Sequence, residues 1–306
     1  MTISVLFRND LRVHDNPALH AACRSNEPVV AFYFFTPEQF AAHDMGLNKQ
    51  RFIVDTVLSL SQQLQKLGVP LLAEQCPRFD DSVKKLAALC RQHTVNTLHC
   101  NEEYELNEQR RDTQVFSVLT KAGVSVQRHQ DQVLLAPGSV LTGQGSPFRV
   151  FTPFKRAWLQ QARQISVQPL SAPRKRAAHP IPATTMANIE RWVKPQPANA
   201  FWKGGSAEAF QRLDQFIAQR IERYQEQRDH PALDGTSQLS PYLAVGAISS
   251  RSCLYAALDA NRFEWDSGST GIQTWINELI WREFYKHLIF NFPDLCKGRA
   301  FQPTTE

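Results

Sequence analysis

The sequence has few cysteines for its length and no long apolar run. Its 306 residues contain six cysteines, none in a CxxC pair, so we expect neither a disulfide framework nor a metal site, and a reducing compartment. The best apolar run, residues 28–35, is too short to span a bilayer, and Arg8 and Asp10 come too early for a signal peptide. We therefore expect a cytoplasmic protein that is not a membrane protein.

Two nucleotide-binding signatures are also missing. No GxGxxG follows the first predicted strand, and the glycine-containing stretch at Thr142 lacks the Lys-Ser/Thr pair of a phosphate loop. An NAD-dependent dehydrogenase is therefore not expected. A nucleotide hydrolase has no sequence support either, because no Ser/His/Asp arrangement or phosphate loop is present.

Acidic residues are absent from one long interval. No Asp or Glu occurs between Asp131 and Glu190, and the interval carries seven basic residues that we single out: Arg149, Lys155, Arg156, Arg163, Arg174, Lys175 and Arg176. A field of one sign suits a polyanion such as DNA. A solvated basic linker gives the same pattern, so both interpretations stay open.

The first 130 residues alternate between short apolar runs and helical patterns. Strands are expected at residues 3–8, 29–35, 70–74, 95–101 and 124–128, with a further extended segment at 133–135. This spacing predicts a Rossmann-like α/β domain with a parallel sheet and helices on both faces. Ligands of such sheets bind at the carboxyl ends of the strands, here residues 7–10, 35–37 and 101–108.

The second half has a helical pattern. Six prolines between Pro169 and Pro197 indicate an interdomain linker, which we place at 131–205, before an all-α domain at 206–306. There Ser206 is the expected N-cap of a helix whose apolar stripe ends at Tyr224. Further helices are expected at 236–245 and, capped by Ser249 or Ser250, at 251–258.

The most informative helix is predicted at residues 275–288. Its apolar residues surround the helix, and Thr274, Glu278, Trp281 and Tyr285 share one narrow face, with Arg282 and Lys286 on the adjoining stripe. A helix that is apolar nearly all round is expected to be covered on both sides. The face of Glu278 is then either a satisfied part of the core or one wall of a site with an acid, a stacking surface and cations.

The stretch from Thr236 to Ser240 is the start of the helix predicted at 236–245. Hydroxyls and free backbone N–H groups at the start of a helix form an anion site suited to a phosphate, with Thr236 and Ser237 as the donors. Simple helix capping explains the same residues. The sequence pattern by itself does not choose between them.

Several unusual strings together resemble one family. They are LFRNDLRVHDNPAL from residue 6, NEEYELNEQRRD from 101, FRVFTPFKRAW from 148, DGTSQLSPYLAVGAIS from 234 and WINELIWREFYKHL from 275. In this order they resemble the DNA photolyase and cryptochrome family, most closely the bacterial cyclobutane pyrimidine dimer photolyases. The resemblance covers essentially the whole chain.

The resemblance implies an antenna chromophore in the α/β domain, FAD in the helical domain, and light-driven repair of pyrimidine dimers in UV-damaged DNA by a monomeric lyase. The implied FAD contacts are Tyr224, Thr236, Ser237, Gln238, Leu239, Ser240, Asn277 and Glu278. The implied catalytic residues are Glu278 and Trp281, and Glu278, Trp281, Arg282 and Tyr285 would contact DNA. A folate antenna, 5,10-methenyltetrahydrofolate, would bind Asn107 and Glu108, with His43, Cys296 and Lys297 lining the cleft.

Alternatives accompany these implied roles. Tyr224 is also explained as the last residue of its apolar stripe, and Asn107 and Glu108 as the start of a helix. The family continues with further helices, so we expect the helical domain to be incomplete here, and whether these 306 residues repair DNA by themselves is left open. Gln238 stands where a basic residue is frequent. A non-catalytic photoreceptor or a chromophore-binding fragment is the alternative to an enzyme.

Overall fold

A computed structural model describes residues 1–178, 180–193 and 202–301. Its sheet has five parallel strands in the order β3-β2-β1-β4-β5. The strands are β1 (Thr2–Phe7), β2 (Val29–Phe35), β3 (Leu71–Gln75), β4 (Val95–Asn101) and β5 (Ser125–His129). These pairings confirm the predicted parallel α/β sheet. Short apolar strands of this kind are typical of a parallel sheet that helices cover on both faces.

Helices cover both faces of the sheet. They are α1 (Pro17–Ala22), α2 (Pro37–Ala41), α3 (Leu47–Leu67), α4 (Phe79–Gln92) and α5 (Leu106–Lys121). Successive strand residues point to opposite faces, so Val5 and Phe7 join one core with α1 and α3, whereas Leu6 joins a second core with α4 and α5. The first core continues into the second half of the chain.

The stretch that we interpret as a linker contains regular structure. Helix α6 (Phe151–Ala162) buries Phe154 and Trp158, and a short helix α7 (Met186–Glu190) packs on α3. The extended segment expected at 133–135 is wrong. These residues form bends outside the sheet, and their backbone groups pair with side chains of a distant helix. The domain boundaries at 130 and 205 stay predictions, and residues 194–201 lie outside the described part.

The second half is helical in its described residues, with α8 (Ser206–Gln219), α9 (Tyr224–Gln227), α10 (Ser240–Ala244), α11 (Ser250–Ala260) and α12 (Thr270–Asn291). The N-cap prediction for α11 is confirmed, because the Ser249 hydroxyl accepts from the Ser252 N–H. The N-cap prediction for α8 is wrong. Gly205 fills that position with φ 111°, where a Cβ would lie 2.6 Å from the Ser59 hydroxyl.

Two further expectations for this half are corrected. Tyr224 does not end the stripe of α8, because α8 stops at Gln219 and Tyr224 begins α9 after a 3₁₀ turn. The helix expected from Thr236 begins only at Ser240, since Gln238 has a left-handed backbone with φ 54° that interrupts a helix. Thr236 and Ser237 therefore lie in a loop before a helix of five residues.

Helix α12 contains the predicted segment and extends it at both ends. One side is buried as expected, with Ile276, Ile280, Phe284 and His287 all less than 5% exposed. The opposite side is more open, because Tyr285 on it is 55% exposed. Helices α6, α9 and α11 pack against α12. In the described ranges, no helix combines the length and apolarity needed to cross a membrane.

Candidate functional site

The open side of α12 brings together Glu278, Arg228 and Tyr224. Arg228 forms an ion pair with Glu278 through Nη1, and its guanidinium carbon lies 5.8 Å from the centre of the Tyr224 ring. The hydrogen bond to Glu278 raises the pKa of Arg228, and burial together with the charge of Glu278 raises the pKa of the Tyr224 hydroxyl. Arg228 was not among the predicted residues, although it directly links two of them.

Trp281, one turn after Glu278, lies in a stack of three aromatic rings. The Phe151 ring of α6 lies parallel to Trp281, with centroids 3.6 Å apart and an interplanar angle of 7°. Tyr285 is on the same stripe of α12, with its ring centre 5.6 Å from that of Trp281 and an angle of 25°. Trp281, the predicted stacking residue, is thus half-buried, as is Phe151, whereas Tyr285 is exposed.

The other predicted residues of α12 differ in their surroundings. Arg282 is turned inward, and its Nη1 donates to the Gln132 carbonyl at 2.6 Å and to the Ser250 hydroxyl at 2.9 Å. Contact between Arg282 and DNA stays a prediction, and its guanidinium already donates to two groups of the protein. Asn277 is half-buried, and its side chain makes no hydrogen bond to any other described residue.

The loop from Thr236 to Ser240 has two kinds of side chain. Thr236 and Ser240 are exposed and Ser237 half-buried, and their hydroxyls make no hydrogen bond within the described residues. Gln238, by contrast, accepts from Arg212 at 2.8 Å and donates to Asp234 at 2.9 Å, while Leu239 is buried. The loop therefore offers three hydroxyls to a ligand, and Gln238 is held by its neighbours.

Loop and helix are connected through α9. The position of Gly235, directly before the loop, is packed so tightly on Gln227 of α9 that a Cβ there would lie 2.5 Å from the Gln227 Cβ. One residue further along α9, Arg228 bonds Glu278 of α12. The predicted FAD residues Tyr224, Thr236 and Glu278 thus belong to elements that pack on a common short helix.

Glu283 is the functional-looking residue that the sequence reasoning missed. It is 2% exposed, and its carboxylate accepts hydrogen bonds from the Trp158 indole N–H at 2.7 Å, the Leu135 N–H at 3.4 Å and the Leu134 N–H. Burial raises the pKa of Glu283 to about 7 in spite of these donors. One turn later His287 Nε2 lies 3.1 Å from the Leu135 carbonyl, and burial lowers its pKa to about 4.

A signal for Glu283 was present in the sequence. Its position is three residues after Ile280 and four before His287, so it falls inside the apolar stripe of α12. A carboxylate in such a stripe requires buried donors.

The carboxyl ends of the central strands, where a ligand was expected, are occupied by the protein's own side chains. Asn101 donates to the Asp10 carboxylate at 2.6 Å and Arg111 to Glu103 at 2.6 Å, and Arg8 pairs with Asp112. Burial opposes ionisation of Glu103, but the charges of Arg111 and Arg8 lower its pKa to about 2. The expectation of a ligand at residues 7–10 stays a prediction, and it concerns side chains that already pair with one another.

The predicted antenna residues lie beside this network, at the start of α5. The Asn107 side-chain nitrogen is 3.1 Å from His43 Nε2, and burial, followed by the charge of Glu103, raises the pKa of Glu108 to about 7. Cys296 is exposed and Lys297 pairs with Asp294 at 2.6 Å in its own 3₁₀ turn. Asn107 and His43 do meet, as a shared polar site requires. No group of three metal ligands occurs in the described residues.

The parallel α/β sheet and the helices that follow it are those of one known family. The sequence model of the family described as DNA photolyase matches residues 3–176. This chain belongs to the DNA photolyase family, and its fold of α/β and partial helical parts is that of the family.

The relatives cover the whole chain, but the chain does not cover the relatives. It is 39% identical over 306 residues to the deoxyribodipyrimidine photo-lyase of Escherichia coli K12, which spans 99% of this chain and 63% of the relative. The corresponding protein of Vibrio cholerae is 37% identical over 303 residues, with 97% and 63% covered. The structure of a bacterial class III photolyase from Agrobacterium tumefaciens has a TM-score of 0.81 at 29% identity, covering 96% of this chain and 60% of its own.

Proposed function

We propose that this protein takes part in light-driven repair of cyclobutane pyrimidine dimers in DNA, as a carbon–carbon lyase that uses FAD. The observation that carries the proposal is the meeting of Tyr224, Arg228 and Glu278, one helical turn before Trp281 on α12, in a chain that is 39% identical to a deoxyribodipyrimidine photo-lyase. Because the chain spans about 63% of that relative's length, the activity is a proposal for this chain.

The chemistry of the donors fits FAD at the phosphate end. Three hydroxyls on the loop before α10, those of Thr236, Ser237 and Ser240, have no hydrogen-bond partner among the described residues and would donate to phosphate oxygens. Leu239 and Gln238 would contribute backbone contacts, because the first is buried and the second is bonded to Arg212. Tyr224, Asn277 and Glu278 would border the cofactor. When bound and reduced, FAD supplies an electron under illumination.

The substrate side of the proposal uses Trp281 and Glu278. Photolyases act on nucleotides turned out of the duplex, and an aromatic platform holds such bases by stacking. Trp281 would provide the platform, with Tyr285 beside it. Glu278 would bind the base edge, and Arg228 orients its carboxyl group through their ion pair. Arg282 would act on DNA only after exchanging its partners at Gln132 and Ser250.

The antenna proposal is a folate, 5,10-methenyltetrahydrofolate, at the start of α5. It is supported by the contact between Asn107 and His43 and by the raised pKa of Glu108, whose protonated form would donate to the folate ring. We further infer a cytoplasmic monomer that binds UV-damaged DNA.

Repair is tested with the 306-residue chain and added FAD. An oligonucleotide with one thymine cyclobutane dimer is illuminated with blue light under reducing conditions, and dimer loss is followed by chromatography. We expect loss in the light only, and a reduction of at least about tenfold with Glu278→Gln and with Trp281→Ala. Binding of flavin and dimer DNA without loss would replace repair with a photoreceptor or chromophore-binding role. Absence of both binding events would refute the proposal for this chain.

A further inference from the structure

The contact between Phe151 and Trp281 has an unusual geometry. Aromatic pairs in proteins prefer offset or edge-to-face arrangements, with ring centres about 4.5–7 Å apart. Here the ring centres are 3.6 Å apart and the planes differ by 7°, so the two rings lie almost directly over one another. One face of the Trp281 ring is thus closed by Phe151.

The packing of α6 on α12 imposes this arrangement. Seven residues after Phe151, on the same side of α6, Trp158 donates its indole N–H to Glu283. Between them Phe154 packs on Phe284 and His287, with ring centres 5.0 and 5.1 Å apart. Phe154 and Trp158 are both 1% exposed, so α6 is fixed along its length and Phe151 cannot move off the indole without disturbing buried contacts.

The second ring beside Trp281 has a different environment. Tyr285, one turn later on α12, lies with its ring inclined by 25° and its centre 5.6 Å from that of Trp281, and it is 55% exposed. An exposed ring at this distance can extend a stacking surface. Trp281 therefore has one neighbour that is held by buried contacts and one that borders solvent.

We propose that Phe151 is a positioning residue for Trp281: it backs one face of the indole, so that a flipped-out base stacks only on the opposite face. This inference rests on the proposed function and adds to it a residue and a direction of binding. The alternative is that Phe151 occupies the position of a base and is displaced when the ligand inserts between the Phe151 and Trp281 rings.

Leucine and tyrosine at position 151 separate the two arrangements. Phe151→Leu keeps an apolar side chain but removes the flat ring, and Phe151→Tyr keeps the ring. We expect the dissociation constant for an oligonucleotide with a thymine dimer to rise about tenfold for Phe151→Leu and to change less than about twofold for Phe151→Tyr. Far-ultraviolet circular dichroism and the urea midpoint of both variants should match the wild type, which a general folding defect would not produce. Tighter or unchanged binding by Phe151→Leu would overturn the proposal.

A measurement without DNA keeps the inference separate from the proposed function. Acrylamide quenches tryptophan fluorescence. The contribution of Trp281 is obtained by subtracting the fluorescence of the Trp281→Phe derivative from that of each protein. We expect quenching to increase at least twofold in Phe151→Leu and to return to the wild-type value in Phe151→Tyr. Equal quenching in all three would overturn the positioning role, whereas wild-type protein that fails to bind dimer DNA would overturn only the proposed function. Phe151→Met is the second variant if Phe151→Leu does not fold.

Discussion

Helix α12 carries two glutamates five positions apart whose surroundings are opposite. Glu283 is 2% exposed and accepts from three donors on two other segments. The Glu278 side chain is 39% exposed and has Arg228 as its ion-pair partner. The same residue type thus holds the fold together on one side of a helix and is available to a ligand on the other. The side of the helix on which a glutamate lies, rather than its residue type, decides which of the two roles it has.

Removing each carboxylate in turn is the strongest test of this comparison. Glu283→Ala leaves two backbone N–H groups and the Trp158 indole N–H buried without an acceptor, so we expect the free energy of unfolding to fall by about 4 kcal/mol. Glu278→Ala is the matched control, and its loss should stay below about 1 kcal/mol because the pair is partly exposed. Urea unfolding followed by circular dichroism measures both. Similar losses for the two variants would refute the distinction.

The pH dependence of stability gives a smaller effect. The pKa of Glu283 is raised from 4.5 to about 7 by burial, so the folded protein keeps a proton that the unfolded chain has lost. This contribution to stability is complete below pH 4.5 and disappears as pH rises through 7. Between pH 6.5 and 8.5 we expect the free energy of unfolding to fall by about 1 kcal/mol from this group.

Glu283→Gln should remove that part of the slope. The groups facing Glu283 are the Trp158 indole, the two backbone N–H groups and the neighbouring charge of Arg282. His287 titrates in the opposite sense and overlaps this window, because its pKa is lowered from 6.5 to about 4 and the unfolded chain still loses its proton near pH 6.5. The slope is therefore compared between Glu283→Gln and the wild type, which share this contribution. Glu108, whose pKa is also raised to about 7, contributes the same sign, so Glu108→Gln is the necessary parallel measurement. A slope unchanged by Glu283→Gln would contradict the assignment.

The smallest effect is expected for Arg228. Arg228→Gln removes an ion pair whose side chains are 33% and 39% exposed, and we expect a change of less than about 1 kcal/mol in the free energy of unfolding. The same variant should weaken binding of dimer DNA several-fold, because Glu278 loses the partner that orients it. A large loss of stability would contradict this prediction and would show that Arg228, like Glu283, is required for the fold.

The sheet was predictable from the sequence because apolar runs of five to seven residues separated by helical patterns leave few alternatives. The buried side of α12 was predictable for the same reason, since Ile276, Ile280 and Phe284 repeat at helical spacing. The family strings identified the positions of Glu278, Trp281 and the loop at Thr236. The hydrophobic pattern was therefore sufficient to predict the helices and strands, and the resemblance to the family was sufficient to predict the residue types of the site.

Long-range contacts could not be read in this way. Trp158 is 125 residues from Glu283, and Phe151 lies 130 residues before Trp281, so no spacing along the chain indicates that they meet. The start of α10 was missed because the left-handed backbone of Gln238 is a property of one residue that its neighbours impose. The mutual pairing of the polar residues at 8–10 could not be foreseen, because polar residues at a strand end look alike before their partners are known.

The attachment of α12 to residues 132–135 also bears on how the protein folds during synthesis. Arg282, Glu283 and His287 supply the partners for backbone groups that the ribosome has made about 150 residues earlier. Strands β1 to β5 pair among themselves within the first 129 residues, so the sheet can form first as a unit. The N–H groups of Leu134 and Leu135 must then remain hydrated until α12 emerges, and the docking of α12 dehydrates them.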